Sequence, residues 1–278
     1  MIIIGEKING FIPKTLAAIE SKDSDYIRTI AQAQEVGGAA YLDICAGVAP
    51  EIERETLQWL IDIALSAADV PLCLDSSDPS MLVEMYEYVQ EKANGRQASE
   101  GLINSVSLEE GKCEAIFPVI AAGKWGVVAL TCDNNGIPDD PEVKLQLARE
   151  LIKRAGDAGI GPERLFIDPL VTTLATKQDS LINFNDGIKL IKAEFPTVHF
   201  TSGLSNISFG MPYRKAINMQ FLSLAMVAGM DSAIMDPTSS DMQATLHATA
   251  ALLGQDEYCM EYLTAYRAGL FGTAPKPA

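Results

Sequence analysis

The chain has 278 residues, 48% of them hydrophobic and 21% charged, with 14 Pro and 21 Gly. Such a chain buries a large core and is neither fibrous nor disordered. Lys and Arg number 21 against 37 Asp and Glu, a formal charge of −16; a surface that negative repels phosphate backbones and anionic lipids, which sets nucleic acid and membrane partners aside.

Short apolar, β-branched runs alternate with longer amphipathic stretches. Strands are expected at 2–8, 41–45, 71–75, 102–106, 127–132, 165–168, 199–203 and 233–236. Helices are expected between them at 25–36, 51–67, 79–91, 112–122, 142–158, 181–195, 214–228 and 241–253. Ile2-Ile3-Ile4 and Val127-Val128-Ala129-Leu130 are apolar without alternation, as strands buried on both faces of a parallel sheet are. Eight strand–helix units over about 250 residues match a (β/α)₈ barrel. A doubly wound open sheet would more often carry a glycine-rich phosphate turn, and neither GxGxxG nor GxxxxGK[ST] occurs. No low-complexity linker divides the chain, so one domain is expected over 1–278. An extra helix is expected near 256–268, and the tail beyond Phe271 is expected to be loose.

No secretory leader is read at MIIIGEKING, and no run of about 18 apolar residues is free of charge. Five scattered cysteines (Cys45, Cys73, Cys113, Cys132 and Cys259) form no CxxC pair and read as reduced thiols in a cytoplasm. With His199 and His247 the only histidines, no bound metal is expected. Carboxylates, amides and hydroxyls are left to carry the chemistry.

A barrel's active site lies at the carboxyl ends of its strands, and polar residues recur there: Asp43, Asp75, Asn104, Asp168, Asn206 and Asp236. Asp and Asn are depleted in strands and costly to bury unpaired, so their recurrence at one rim points to a polar ligand. Capping is the competing role, assigned to Asp78, Asp236 and Ser240; Asp43, deeper in its strand, suits a structural hydrogen bond equally well. An aspartate accepts two N–H groups of a heterocycle, and an asparagine both gives and accepts. A 2-amino-4-oxo pyrimidine ring, as in pterins, fits that set.

The motifs GEKIN (5–9), LDICAG (42–47), PLCLDSSDP (71–79), LINSVS (102–107), IDPLV (167–171) and GLSNISFGMPYRKAIN (203–218) follow in order. Together they resemble the pterin-binding methyltransferases that move a methyl group between methyltetrahydrofolate and a corrinoid. The resemblance covers essentially the whole chain and implies a TIM barrel of the dihydropteroate synthase-like type. It implies that Asp75 and Asp168 hold the pterin's amino and ring N–H groups, with Asn104 beside them. Asn206 is implied as the catalytic amide at N5. Gly203 and Ser205 would line the pocket, with Arg214 close by, and Glu6 and Asn9 belong to the shared first-strand motif. A proton stabilised at N5 by Asn206, with Asp43 or Asp75 behind it, would ease cleavage of the C–N bond. Lys7 and Lys177 are candidates to meet a folate's glutamate tail, Lys177 suiting a solvated surface role better.

The implied substrates are tetrahydrofolate and 5-methyltetrahydrofolate. The corrinoid (cobalamin) is expected on a separate partner protein, because no Asp-x-His-x-x-Gly motif is present. Barrels of this kind commonly pair, which implies a homodimer. The direction of transfer is not encoded. A dihydropteroate synthase-like enzyme would have a Lys after strand seven and end in Ser-x-Arg, where this chain ends strand eight in Met235-Asp236-Pro237. A non-catalytic folate-binding subunit would need only the aspartates.

Overall fold

The computed structural model describes residues 1–272. β1 (Ile2–Asn9) is paired on both sides, to β2 (Tyr41–Cys45) and to β8 (Ser232–Met235), both in parallel. From β2 the sheet continues through β3 (Leu72–Asp75), β4 (Leu102–Leu108), β5 (Gly126–Asp133), β6 (Leu165–Asp168) and β7 (His199–Phe200). At the β7–β8 seam, Gly203 bridges Ile234. There the Ile234 amide donates to Ser202 O at 3.0 Å, and Asp231 N donates to Phe200 O at 3.3 Å. These bonds complete a (β/α)₈ TIM barrel.

The helices wrap the outside. The first strand is followed by α1 (Pro13–Glu20) and α2 (Ser24–Val36), the second by α3 (Pro50–Ala67). Next come α4 (Pro79–Lys92), the short α5 (Gly95–Ser99), α6 (Lys112–Ala121) and α7 (Pro141–Asp157). The ring closes with α8 (Ser180–Glu194), α9 (Arg214–Ala228), α10 (Ser240–Leu252) and α11 (Met260–Arg267). Among the described residues no helix is long and apolar enough to cross a membrane.

Three expectations shift. The seventh strand ends at Phe200, because Gly203-Leu204-Ser205-Asn206 turns into a 3₁₀ segment (Leu204–Ser208). The expected helix over 256–268 is broken. Tyr258 and Cys259 take positive φ, and α11 starts afresh with the Asp256 carboxylate accepting from Glu261 N and Tyr262 N at 2.8 and 2.9 Å. Helices α1 and α5 lie outside the expected helical ranges. Most of the tail beyond Phe271, residues 273–278, lies outside the described residues.

Two cores result from strands buried on both faces. One fills the space between sheet and helices. The other, inside the barrel, comprises Ile4, Cys73, Leu102, Val128 and Phe166, with Ile2, Tyr41, Leu130 and Ile234 against it. Side chains alternate along a strand. The residue two places after each of these interior positions therefore faces inward one layer higher, at the carboxyl-end mouth. Ile4 is followed by Glu6, Tyr41 by Asp43, Cys73 by Asp75, Leu102 by Asn104, Phe166 by Asp168 and Ile234 by Asp236.

Candidate active site

That mouth opens into a cavity of about 610 Å³. Ten residues that the resemblance implies for the site line it: Glu6, Asn9, Asp43, Asp75, Asn104, Asp168, Gly203, Ser205, Asn206 and Arg214; Asp236, Lys7 and Lys177 do not. Phe11, Ile12, Ser105, Leu130, Leu170, Phe209 and Ile234 complete the wall.

Neighbouring strands fix the polar set. Asp75 stands opposite Asn104 in the β3–β4 register, and Cys45 opposite Asp75 in the β2–β3 register. Asn104 Nδ2 donates to Asp43 Oδ1 at 3.3 Å. The Asn104–Ser105 peptide is cis. At β1 the register shifts between Gly5 and Ile8. Lys7 N there donates to Gln34 Oε1 of α2 at 2.9 Å instead of to a strand. Gly5 permits this approach: a Cβ at that position would lie 2.5 Å from the same Oε1. Glu6 sits on this bulge.

The β6 end is held differently. Asp168 is 5% exposed, and its Oδ1 accepts from Leu170 N at 2.7 Å across Pro169. Leu170 adopts φ 57°, a left-handed conformation that a branched residue enters only when its surroundings hold it there. After β7, Arg214 starts α9 and donates from Nη2 to Ser205 O at 2.6 Å and from Nε to Ser208 Oγ at 3.0 Å. The guanidinium thus clamps the 3₁₀ turn that carries Asn206. Among the described residues no hydrogen bond engages the Asn206 side-chain amide, which faces the cavity.

Burial raises the proton affinity of four carboxylates that line this one cavity. Burial pushes Glu6 up to about 7, reinforced by the nearby charge of Asp236. Burial also takes Asp168 to about 7, against the pull of the Leu170 amide and the Lys144 ammonium, and Asp75 to about 6. Asp43 lies well above the carboxylate range through burial first and then Asp75. Such a cavity favours a ligand rich in N–H donors, which satisfies the acceptors that burial removed from water. Among the described residues no group of three or more His, Cys, Asp or Glu is placed to hold a metal ion.

A family model described as pterin binding enzyme matches residues 14–236. The chain belongs to the pterin-binding enzyme family. It is 47% identical over 274 residues to the methylcorrinoid:tetrahydrofolate methyltransferase of Eubacterium limosum, covering 98% of each chain. It is 31% identical over 249 residues to the methionine synthase of Mycobacterium tuberculosis, covering 84% of this chain and 20% of that longer protein. Its fold matches a dihydropteroate synthase from Xanthomonas albilineans in complex with 7,8-dihydropteroate (TM-score 0.62, 21% identity, 91% of this chain and 92% of that one). A DHPS of Yersinia pestis with a pterine-sulfa conjugate aligns equally well (TM-score 0.64, 18% identity, 91% and 94%).

Some residues of this pterin-binding enzyme do other work than their sequence context indicated. Asp78 does cap α4, accepting from Ser80 N at 2.8 Å. Asp236 caps no helix; it accepts from Thr238 N at 2.9 Å and pairs with Lys7 at 3.2 Å. Ser239, not Ser240, caps α10 by accepting from Met242 N. Lys177 contacts Asp139. Phe11 and Phe209, both exposed, line the mouth; Phe209 falls within the 203–218 motif, whereas no pattern in the sequence marks Phe11. Lys144 on α7, 3% exposed, reads from sequence as an ordinary surface lysine.

Proposed function

We propose that the chain transfers a methyl group between N5 of tetrahydrofolate and the cobalt of a corrinoid. What carries this reading is the convergence of Asp75, Asn104, Asp168 and Asn206 on one cavity at the barrel mouth, in a chain that matches a methylcorrinoid:tetrahydrofolate methyltransferase from end to end. The donor and acceptor chemistry fits a pterin. Asp75 and Asp168 accept from the 2-amino and ring N–H groups, and Asn104, oriented by Asp43, pairs with the adjacent edge. Gly203 and Ser205 line the ring's flank. Asn206, presented by the Arg214-clamped turn, reaches N5.

When the methyl group leaves 5-methyltetrahydrofolate, the C–N bond breaks, its electron pair stays on N5, and N5 takes a proton. In the opposite direction N5 gives up its proton as it bonds the methyl group. Asn206 stabilises the proton at N5 while the bond order changes, a form of general acid–base assistance worth about 10²–10⁴-fold. Glu6, with a proton affinity near neutrality, exchanges that proton with solvent in either direction. The reduced cobalt of the corrinoid supplies the nucleophile or, methylated, the methyl donor. The barrel contributes alignment across an open mouth.

The corrinoid arrives on a separate protein, because this chain carries no motif to hold one. The encounter is brief and uses the mouth segment 203–214. The chain acts as one barrel unit over 1–278, with its extra helix at an interface between two copies. Leu252, Tyr258 and Met260, exposed on and beside α10 and α11, support that placement. Its free cysteines fit a cytoplasmic setting.

Mixing purified protein, tetrahydrofolate and methylcob(III)alamin tests the reaction. The absorption band of the reduced corrinoid appears, dependent on both protein and folate. Its absence with the natural corrinoid protein as well overturns the reading.

A further inference from the structure

We propose that Lys144 is a positioning residue for pterin binding: its buried ammonium fastens the Leu170 turn and places a positive charge behind Asp168, so that this carboxylate faces the pterin as a fixed acceptor. The proposal rests on the reading of Asp168 as a pterin acceptor.

A lysine on the amphipathic α7 ordinarily keeps its head in water, because an ammonium is strongly hydrated and its stem is flexible. Lys144 is 3% exposed. Its Nζ donates to Leu170 O at 3.0 Å. Leu170 in turn donates its N–H to Asp168 Oδ1 at 2.7 Å. The two bonds engage both polar groups of one residue, and that residue has φ 57°. Burying an ammonium costs free energy unless its partners repay the lost hydration. Here they are one carbonyl and the nearby Asp168 charge, which raises the proton affinity of Lys144 against burial.

The charges around this pair come from several elements. Asp139, in the segment before α7, acts on Lys144 in the same sense as Asp168, and Lys177 in the opposite sense. Asp168 also accepts from Gly203 N after β7, and its charge acts on Cys132 of β5. Within this set Lys144 favours the ionised form of Asp168, whose affinity for protons burial has raised to about 7. A pterin needs that form, since a protonated carboxyl offers a donor where the ring presents N–H groups. The lysine therefore lowers the pH at which the pocket becomes competent, against the rise that burial causes, without touching the ligand.

The test is calorimetric titration with methyltetrahydrofolate between about pH 6 and about pH 9, on Lys144→Met, Lys144→Arg, Asp168→Asn and the wild type. The midpoint of binding moves upward in Lys144→Met by about one pH unit, a loss of about tenfold at the acid end that nearly closes at the alkaline end. Lys144→Arg, which retains a charged donor, follows the wild-type profile. If circular dichroism shows that the Met variant does not fold, Lys144→Gln, which loses the charge and keeps a donor, carries the same expectation. A loss that is uniform across pH, or no loss, in the neutral variant overturns the role of Lys144. Wild-type affinity in Asp168→Asn instead overturns the reading of Asp168 itself.

Discussion

Asn104 reaches from β4 over Asp75 to donate its Nδ2 to Asp43 on β2, at 3.3 Å. One hydrogen bond thereby ties β4 to β2 across the intervening β3 at the barrel mouth. Asp43 is 1% exposed, and Asn104→Ala leaves its Oδ1 without that donor, at a cost of about 1–3 kcal/mol. Thermal unfolding of Asn104→Ala is expected several degrees below the wild type. Unchanged stability would show that Asp43 does not depend on the amide.

Asp75 carries the complementary role toward substrate. Asp75→Ala removes an acceptor for pterin N–H groups, and binding of methyltetrahydrofolate is expected to weaken by about 10- to 100-fold. Calorimetry measures it directly. Wild-type affinity in Asp75→Ala would remove Asp75 from the pocket.

Asn206 and Arg214 separate chemistry from architecture. Asn206→Ala is expected to lower kcat more than it weakens folate binding, because its bond to N5 strengthens as the methyl group moves. Arg214→Met breaks the bonds to Ser205 O and Ser208 Oγ, loosens the whole turn, and raises KM while lowering kcat. Steady-state kinetics with free cobalamin distinguishes the two signatures.

The carboxylates also set a pH dependence of stability. Glu6 and Asp168 titrate near 7 in the folded protein and near about 4 when unfolded. Between those values the folded state binds more protons, so stability contributed by these groups is full below the unfolded value and is lost as pH rises through about 7. Asp78 and Glu109, held below their ordinary values, act in a more acidic window. The ligand-free protein is therefore expected to lose thermal stability between about pH 4 and about pH 7, the loss levelling off above that. Glu6→Gln flattens that slope, and a Glu6→Gln profile parallel to the wild type would refute the assignment.

At the rim, Phe209 is 69% exposed beside the cavity. Phe209→Glu is expected to slow transfer with the corrinoid protein more than it weakens folate binding, since it places a charge where two surfaces meet. Equal effects on both would move the docking surface elsewhere. Sedimentation velocity on the same protein measures the expected homodimer.

How much was legible in the sequence follows from how local each cause is. Strands β2 and β6 coincide with their expected ranges, because a short apolar run holding a single carboxylate is a signal a few residues long. The placement of Asp75, Asn104 and Asp168 at the mouth follows from two-residue alternation above the interior Cys73, Leu102 and Phe166. Closure of the barrel then brings these ends together, and local pattern carries that result only through the repetition of eight units. Other features depend on contacts between distant segments. β7 stops at Phe200 because its continuation divides its hydrogen bonds between β6 and β8. Asp236 caps no helix because α10 starts four residues later behind Ser239, and its carboxylate pairs with Lys7 on the β1 bulge at 3.2 Å. Lys144 looks like any solvated helical lysine until α7 packs beside the Leu170 turn, 26 residues further along the chain. The sequence by itself determined which groups end the strands, through side-chain periodicity and hydrophobicity. Only the tertiary structure decided which of those groups lose their water, what donates to them and how tightly they hold a proton, because desolvation and charge act through space and not along the chain.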